Sequence, residues 1–173
     1  MNRKDATEFL LFENKNPLPQ LWLDLGCGTG LFTLALAHNL PVGSKIIAID
    51  KDEKVLRKIP ATVNDVAIQT LAVDFVHDVL DVKEVDGILI ANSLHYVKDK
   101  ETLLKRLTSS VKANGVFLIV EYDREAENQW VPYPLTINAT KALFKSLGFP
   151  SFHVLSKRPS AFGGYDMFAA IIR

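Results

Sequence analysis

Leu23-Asp24-Leu25-Gly26-Cys27-Gly28-Thr29-Gly30 decides the reading of this chain: an acid, then three glycines at alternate positions, set between an apolar run and an amphipathic one. Upstream, Gln20-Leu21-Trp22-Leu23 supplies a short buried strand. Downstream, Leu31, Leu34, Ala35 and Leu36 form an apolar face at helical spacing. A strand therefore passes into a helix through glycines. These accept positive φ and lack a Cβ, so a ligand can lie against the backbone while helix N–H groups point at it. The nicotinamide and flavin form of such a turn, G-x-G-x-x-G, needs a third glycine where this chain has Leu31. The ATP-binding form ends in Gly-Lys-Ser/Thr, and no lysine occurs between Trp22 and Lys45. Hydride-transfer cofactors and ATP are both disfavoured.

Four further apolar runs, at 45–49, 67–73, 86–91 and 115–120, each stop at polar or aromatic residues. The stops are Asp50, Asp74-Phe75, Asn92-Ser93-Leu94-His95-Tyr96 and Glu121-Tyr122. Helical patterns fall at roughly 4–13, 30–39, 52–58, 99–110 and 136–147, with Asp99 placed to cap one helix and Gly148 and Pro150 to close another. The alternation is that of a parallel α/β sheet. Runs at 152–156 and 166–172, joined by 157–164, read as a closing hairpin. In such a sheet the ligand crevice lies beyond the carboxyl ends of the parallel strands, so the residues at the stops should converge there.

Composition narrows the function. At 173 residues the expectation is one domain, 1–173, with 1–19 as an N-terminal helix and cap segment. No stretch approaches the ~18 apolar residues of a membrane span, and Phe9-Leu10-Leu11-Phe12 is followed by no small-residue cleavage site. A soluble, cytoplasmic protein is expected. One cysteine and four scattered histidines argue against a disulfide or a metal site. With 20 basic and 20 acidic residues and no charge block, nothing suggests a nucleic-acid surface.

The D-x-G-x-G-x-G pattern resembles motif I of the class I S-adenosylmethionine (SAM)-dependent methyltransferases, and the resemblance extends over about residues 20–173. It implies a three-layer Rossmann-like fold with a seven-stranded, mostly parallel sheet of order 3-2-1-4-5-7-6, the last strand antiparallel. It also implies SAM as cofactor and S-adenosylhomocysteine as product. Gly26, Cys27, Gly28 and Gly30 would line the cofactor, with Asp24 orienting its amino group. Asp50 would hold the ribose hydroxyls, Lys51 would lie beside the adenosine, and Asp74 with Phe75 would receive the adenine. Asn92 would line the methionine end. The bland alternatives are a solvated acid at Asp24, a helix cap at Asp50 and an ordinary turn at Asp74-Phe75. Cys27 reads as a small filler, since methyl transfer from a sulfonium needs no enzyme nucleophile.

Asn92-Ser93-Leu94-His95 resembles the small-molecule branch of that family; the Pro-Pro of the DNA and some protein enzymes is absent. His95 is the candidate base, with Tyr122, Tyr133 and Glu121 as alternatives; its bland reading is a satisfied histidine at a helix entry. The segment from Glu121 to Pro134 exceeds an ordinary connection. With Trp130 and Tyr133 stiffened by Pro132 and Pro134, it reads as a substrate wall. Together with Arg-Pro-Ser at 158–160, it resembles a group of short, uncharacterised class I methyltransferases. Tyr96, Tyr122, Trp130, Tyr133 and Arg158 are the expected acceptor contacts; the alternative for Arg158 is a pair with Glu121 or Asp123. Methyl transfer to a small molecule by a monomer or homodimer is the expectation. A SAM-binding regulatory subunit, or an RNA or protein methyltransferase aided by a partner chain, are the alternatives, with aminopropyl transfer more remote.

Overall fold

Successive residues of a strand face opposite sides of its sheet, so a run that is apolar at every position must be covered on both sides. The computed structural model, which describes residues 1–160 and 164–173, shows that arrangement. Helices α1 (Arg3–Phe9), α2 (Leu31–Ala37), α3 (Glu53–Leu56), α4 (Lys100–Thr108) and α5 (Ile137–Ser146) flank one eight-stranded sheet. Its strands are β1 (Leu21–Leu25), β2 (Lys45–Asp50), β3 (Thr62–Val63), β4 (Val66–Ala72), β5 (Val85–Ala91), β6 (Val111–Tyr122), β7 (Phe152–Pro159) and β8 (Asp166–Ile172). Trp22, Leu89, Leu118 and Ala169 pack with α1 and α2 on one face. Leu23, Ile88, Phe117 and Ile119 pack with α4 and α5 on the other.

The strand order is β3-β4-β2-β1-β5-β6-β8-β7. Strands β1, β2, β4, β5 and β6 are parallel, and β8 runs antiparallel between β6 and β7. With β3 set aside this is the expected order; the sheet has eight strands where seven were expected. The extra strand is two residues folded back on β4 through Asn64 and Asp65, at φ 49° and 58°. Positive φ at both central residues is what a primed hairpin turn requires, and Asn and Asp tolerate it. The closing hairpin also starts where expected, but its first strand continues to Pro159. Residues 161–163 of its expected turn lie outside the described residues.

Local signals set the helix ends. The Asp99 carboxylate accepts from Thr102 N at 3.0 Å, and Thr136 Oγ1 from Ala139 N at 3.1 Å. Gly148, at φ +92°, turns α5 back so that Phe149 packs edge-on to Phe117 at 5.1 Å between ring centroids. No helix among the described residues is long and apolar enough to cross a membrane, and no metal-binding cluster of His, Cys, Asp or Glu occurs among them.

β1 sits at the reversal of strand order, with Asp24 in register with Ala48 of β2 and Leu89 of β5. Its placement depends on Trp22, whose ring lies where a Cβ on Gly87 would be 2.5 Å away. Gly87→Ala should therefore overpack the sheet and lose about 1–3 kcal/mol. Urea unfolding should show a lower midpoint with an unchanged slope; an unchanged midpoint would contradict this packing.

Candidate functional site

At the end of β1 the amides of Gly26 and Cys27 donate to Ile49 O at 2.8 and 3.0 Å, tying the glycine turn to β2. Ser93, just past β5, donates its hydroxyl to Leu25 O at 2.6 Å. The three glycines then do different work. A Cβ on Gly26 (φ +73°) would lie 2.5 Å from Ser93 Cβ, and one on Gly30 (φ +86°) 2.8 Å from Ile59 Cγ1. Both are packed shut. Beside Gly28 (φ +53°) there is nothing within 4 Å, so its bare Cα faces open space at the crevice.

Acids surround that opening. Asp24 is 1% exposed; one carboxyl oxygen accepts from Thr33 Oγ1 at 2.5 Å, and Oδ1 has no partner. Burial raises its pKa to about 7, against the pull of the Thr33 hydroxyl and with a further push from the Asp50 charge. Asp50 accepts from Gly28 N at 2.9 Å and from Asp52 N at 3.0 Å. Asp52 itself caps α3 by accepting from Lys54 N, so the capping role considered for Asp50 belongs to its neighbour. Lys51 is exposed on the same rim. Asp74 Oδ1 accepts from Val76 N, and the Phe75 ring edge abuts Gly26 from the core. Arg106 holds that segment by donating to the carbonyls of Phe75 and Val76. Cys27 is half-buried, and burial, then the charges of Asp24 and Asp50, push its thiol pKa upward, which disarms it as a nucleophile.

Asn92 adopts φ +53°, and its Oδ1 is buried without a partner. Two buried acceptors lacking donors, Asp24 Oδ1 at the end of β1 and Asn92 Oδ1 just past β5, fit a ligand that brings N–H and O–H donors. The amino group and ribose hydroxyls of SAM are such donors.

Next to Asn92 lies a cavity of about 680 Å³. His95 and Tyr96 line it from the turn after β5, Tyr122 and Arg124 from the end of β6, and Asn128, Trp130 and Val131 from the following loop. Tyr165 completes it from the residue before β8. His95 is held by one carboxylate twice: its backbone N donates to Glu121 Oε1 at 3.1 Å, and its Nδ1 lies 2.6 Å from Oε2. Both side chains are buried. The loop is built by hydrogen bonds. Asn128 Oδ1 accepts from Trp130 N and Val131 N at 3.0 and 2.7 Å, and Tyr133 N donates to His95 O at 3.0 Å. Trp130, 66% exposed, and Tyr96, 58% exposed, stand at the mouth.

Tyr133 and Arg158 lie outside this lining. The Tyr133 ring sits 5.5 Å from Lys100 Nζ, and the Arg158 guanidinium is 3.5 Å from Asp5 on α1. Neither expected partner of Arg158, Glu121 or Asp123, holds it; Asp123 accepts from Ile137 N and lies 3.9 Å from Lys157. The cavity's arginine is Arg124, which the sequence reading passed over although it stands two residues past the end of a parallel strand.

Residues 23–117 match the family described as a methyltransferase domain. A carboxy-S-adenosyl-L-methionine synthase of Helicobacter pylori (strain Shi470) is 29% identical, over 85% of this chain and 74% of that protein. An uncharacterized methyltransferase of Mycobacterium tuberculosis (strain ATCC 25618 / H37Rv) is 31% identical over 60% of this chain; the match takes in about half of that protein, 51%. Among solved structures, Burkholderia thailandensis 1,6-didemethyltoxoflavin-N1-methyltransferase, with 1,6-didemethyltoxoflavin and S-adenosylhomocysteine bound, superposes with a TM-score of 0.72 at 18% identity. That match covers 99% of this chain and 77% of the other. Magnesium protoporphyrin IX methyltransferase from Synechocystis PCC 6803, with SAM bound, gives 0.69 at 15% identity over the same shares. These likenesses show the fold.

The raised pKa of Asp24 bears on both stability and ligand binding. Between about pH 4 and about pH 7 the folded protein keeps a proton that the unfolded chain has lost, so the free protein loses stability as pH rises through that window. The loss is on the order of 4 kcal/mol, about 1.4 per unit. Asp24→Asn should flatten this dependence in urea titrations. An ammonium-bearing ligand needs the carboxylate, so S-adenosylhomocysteine affinity should fall as pH drops below about 7, approaching about tenfold per unit. Calorimetric titration from about pH 5.5 to about pH 8 reads it. A flat profile would contradict the assignment of Asp24 to the amino group.

Proposed function

Since this chain belongs to the methyltransferase-domain family and is a class I SAM-dependent methyltransferase, we propose that it methylates a hydroxyl of a small molecule held beside His95. The observation that carries this reading is the buried His95–Glu121 pair in the wall of a cavity closed by the chain's own loops. A positioned base is useful for an oxygen acceptor, whose proton must leave, and far less so for a thiolate or free amine. The cavity volume suits a small organic ligand. Zero formal net charge supports a small acceptor over a nucleic acid. The Burkholderia protein binds 1,6-didemethyltoxoflavin, and the Synechocystis protein is named for magnesium protoporphyrin IX, both small molecules.

When bound, SAM supplies an electrophilic sulfonium methyl group. The chain supplies alignment, proton removal and exclusion of water. Asp24, Gly28, Asp50 and Asn92 present acceptors and bare backbone to the cofactor. The Glu121 carboxylate accepts Nδ1–H of His95, which leaves the lone pair on Nε2 to take the hydroxyl proton as attack proceeds. Tyr122 is no substitute as base: burial, then the charge of Glu121 and the neighbouring Tyr96, raise its pKa, so it keeps its proton and serves as a donor. Tyr96 and Trp130 narrow the mouth against water.

The test is incubation with methyl-labelled SAM and a small-molecule extract. Label should pass to a compound of low mass. His95→Ala should lower kcat about 10²–10⁴-fold with S-adenosylhomocysteine affinity unchanged, and Glu121→Gln should show a smaller loss in the same direction. Label entering only macromolecules, or His95→Ala turning over at the wild-type rate, would contradict the proposal.

A further inference from the structure

Arg124 is 8% exposed, lies in the wall of the same cavity as His95, and has a buried Nε without a hydrogen-bond partner. Its guanidinium carbon stands 4.4 Å from the centre of the Tyr165 ring, a stacking contact that orients the group without neutralising it. No carboxylate among the described residues forms an ion pair with it. Of the acids close to it in the chain or the sheet, Glu121 is engaged by His95 and Asp123 by Ile137 N and Lys157, while Glu125, Glu127 and Asp166 form no ion pair with it. Arg158 shows by contrast what a structural arginine looks like here, half-exposed and paired. A guanidinium keeps its charge at every relevant pH, and a buried cation without a counter-charge is costly. Such a group is retained where a ligand brings the anion.

The walls on either side are flat. Tyr96, Tyr122, Trp130 and Tyr165 line the cavity, out of the six tyrosines and tryptophans in the chain, and a ring clamped between such faces gains from stacking. We propose that Arg124 determines acceptor specificity by binding the carboxylate of a planar acid, which orients the acid's hydroxyl toward His95. The inference rests on the cavity being the acceptor pocket. It adds the chemical class of the acceptor: an aromatic or heteroaromatic hydroxy acid, gripped through two parallel N–H···O bonds.

The experiment uses the full chain saturated with S-adenosylhomocysteine. It is titrated with 4-hydroxybenzoate, indole-3-carboxylate and quinoline-2-carboxylate, and with the three corresponding amides, read by calorimetry. At least one acid should bind about tenfold or more tightly than its amide, the scale of a charge-assisted contact. Arg124→Met should erase that preference, Arg124→Lys should recover part of it, and neither should change the affinity for S-adenosylhomocysteine, which also verifies folding. The wild-type comparison of acid with amide stands even if a variant fails to fold. Amides binding as well as acids, or a preference surviving Arg124→Met, would overturn the role of Arg124 and leave the acceptor pocket in place. If neither acids nor amides enter the cavity, while S-adenosylhomocysteine still binds, the inference falls together with the pocket it rests on.

Discussion

The carboxyl ends of β1 and β5 meet at Gly26 and Ser93 with no room between them for a single Cβ. The Ser93 hydroxyl bonded to Leu25 O closes that contact, and the rest of the site follows from it. The glycine turn is drawn against the segment that carries Asn92, His95 and Tyr96. The opening at Gly28 and the aromatic cavity thus lie on either side of one seam. A reaction between two bound molecules needs this adjacency more than any single strong group, since most of the acceleration in such a transfer comes from holding the partners in line.

The seam also explains why the site is built from groups that are uncomfortable in the free protein. Asp24 and Asn92 each keep a buried oxygen without a donor, Asn92 adopts a left-handed backbone conformation, and Arg124 lacks a counter-charge. Each departs from what folding alone would favour, and Asn92 and Arg124 both line the cavity. Elsewhere the local chemistry agrees with the fold: caps at Asp52, Asp99 and Thr136, apolar residues on both faces of the central strands, a glycine at the end of α5. Left-handed backbone also occurs at Asn64, Asp65 and Glu84, but the buried side-chain oxygens without a donor among the described residues, those of Asp24 and Asn92, both belong to the carboxyl ends of β1 and β5, the pattern of a binding site supported by its scaffold.

Much of this was legible in the amino-acid order. The five parallel strands were visible because they are apolar at nearly every position, and Asp99 could be read as a cap because capping reaches only three residues along the chain. β3 was not visible, since two residues cannot display a period; the Asn64-Asp65 pair was the available signal. His95 and Glu121 were each singled out, but they are 26 residues apart, and their pairing depends on β5 and β6 lying side by side. The two arginines were the harder case. Arg124 stands just past β6 and Arg158 lies within the last residues of β7, and what separates them is Asp5, brought by the N-terminal helix against β7 from more than 150 residues away. No pattern near Arg158 announces that partner.

The most direct measurement is a crystal structure of the protein with S-adenosylhomocysteine. The account predicts the ligand against Gly28, its amino group on Asp24 Oδ1, its ribose hydroxyls on Asp50, and its sulfur directed past Asn92 into the cavity that holds His95 and Arg124. A ligand bound away from Gly28, or lying with its sulfur turned from that cavity, would contradict it.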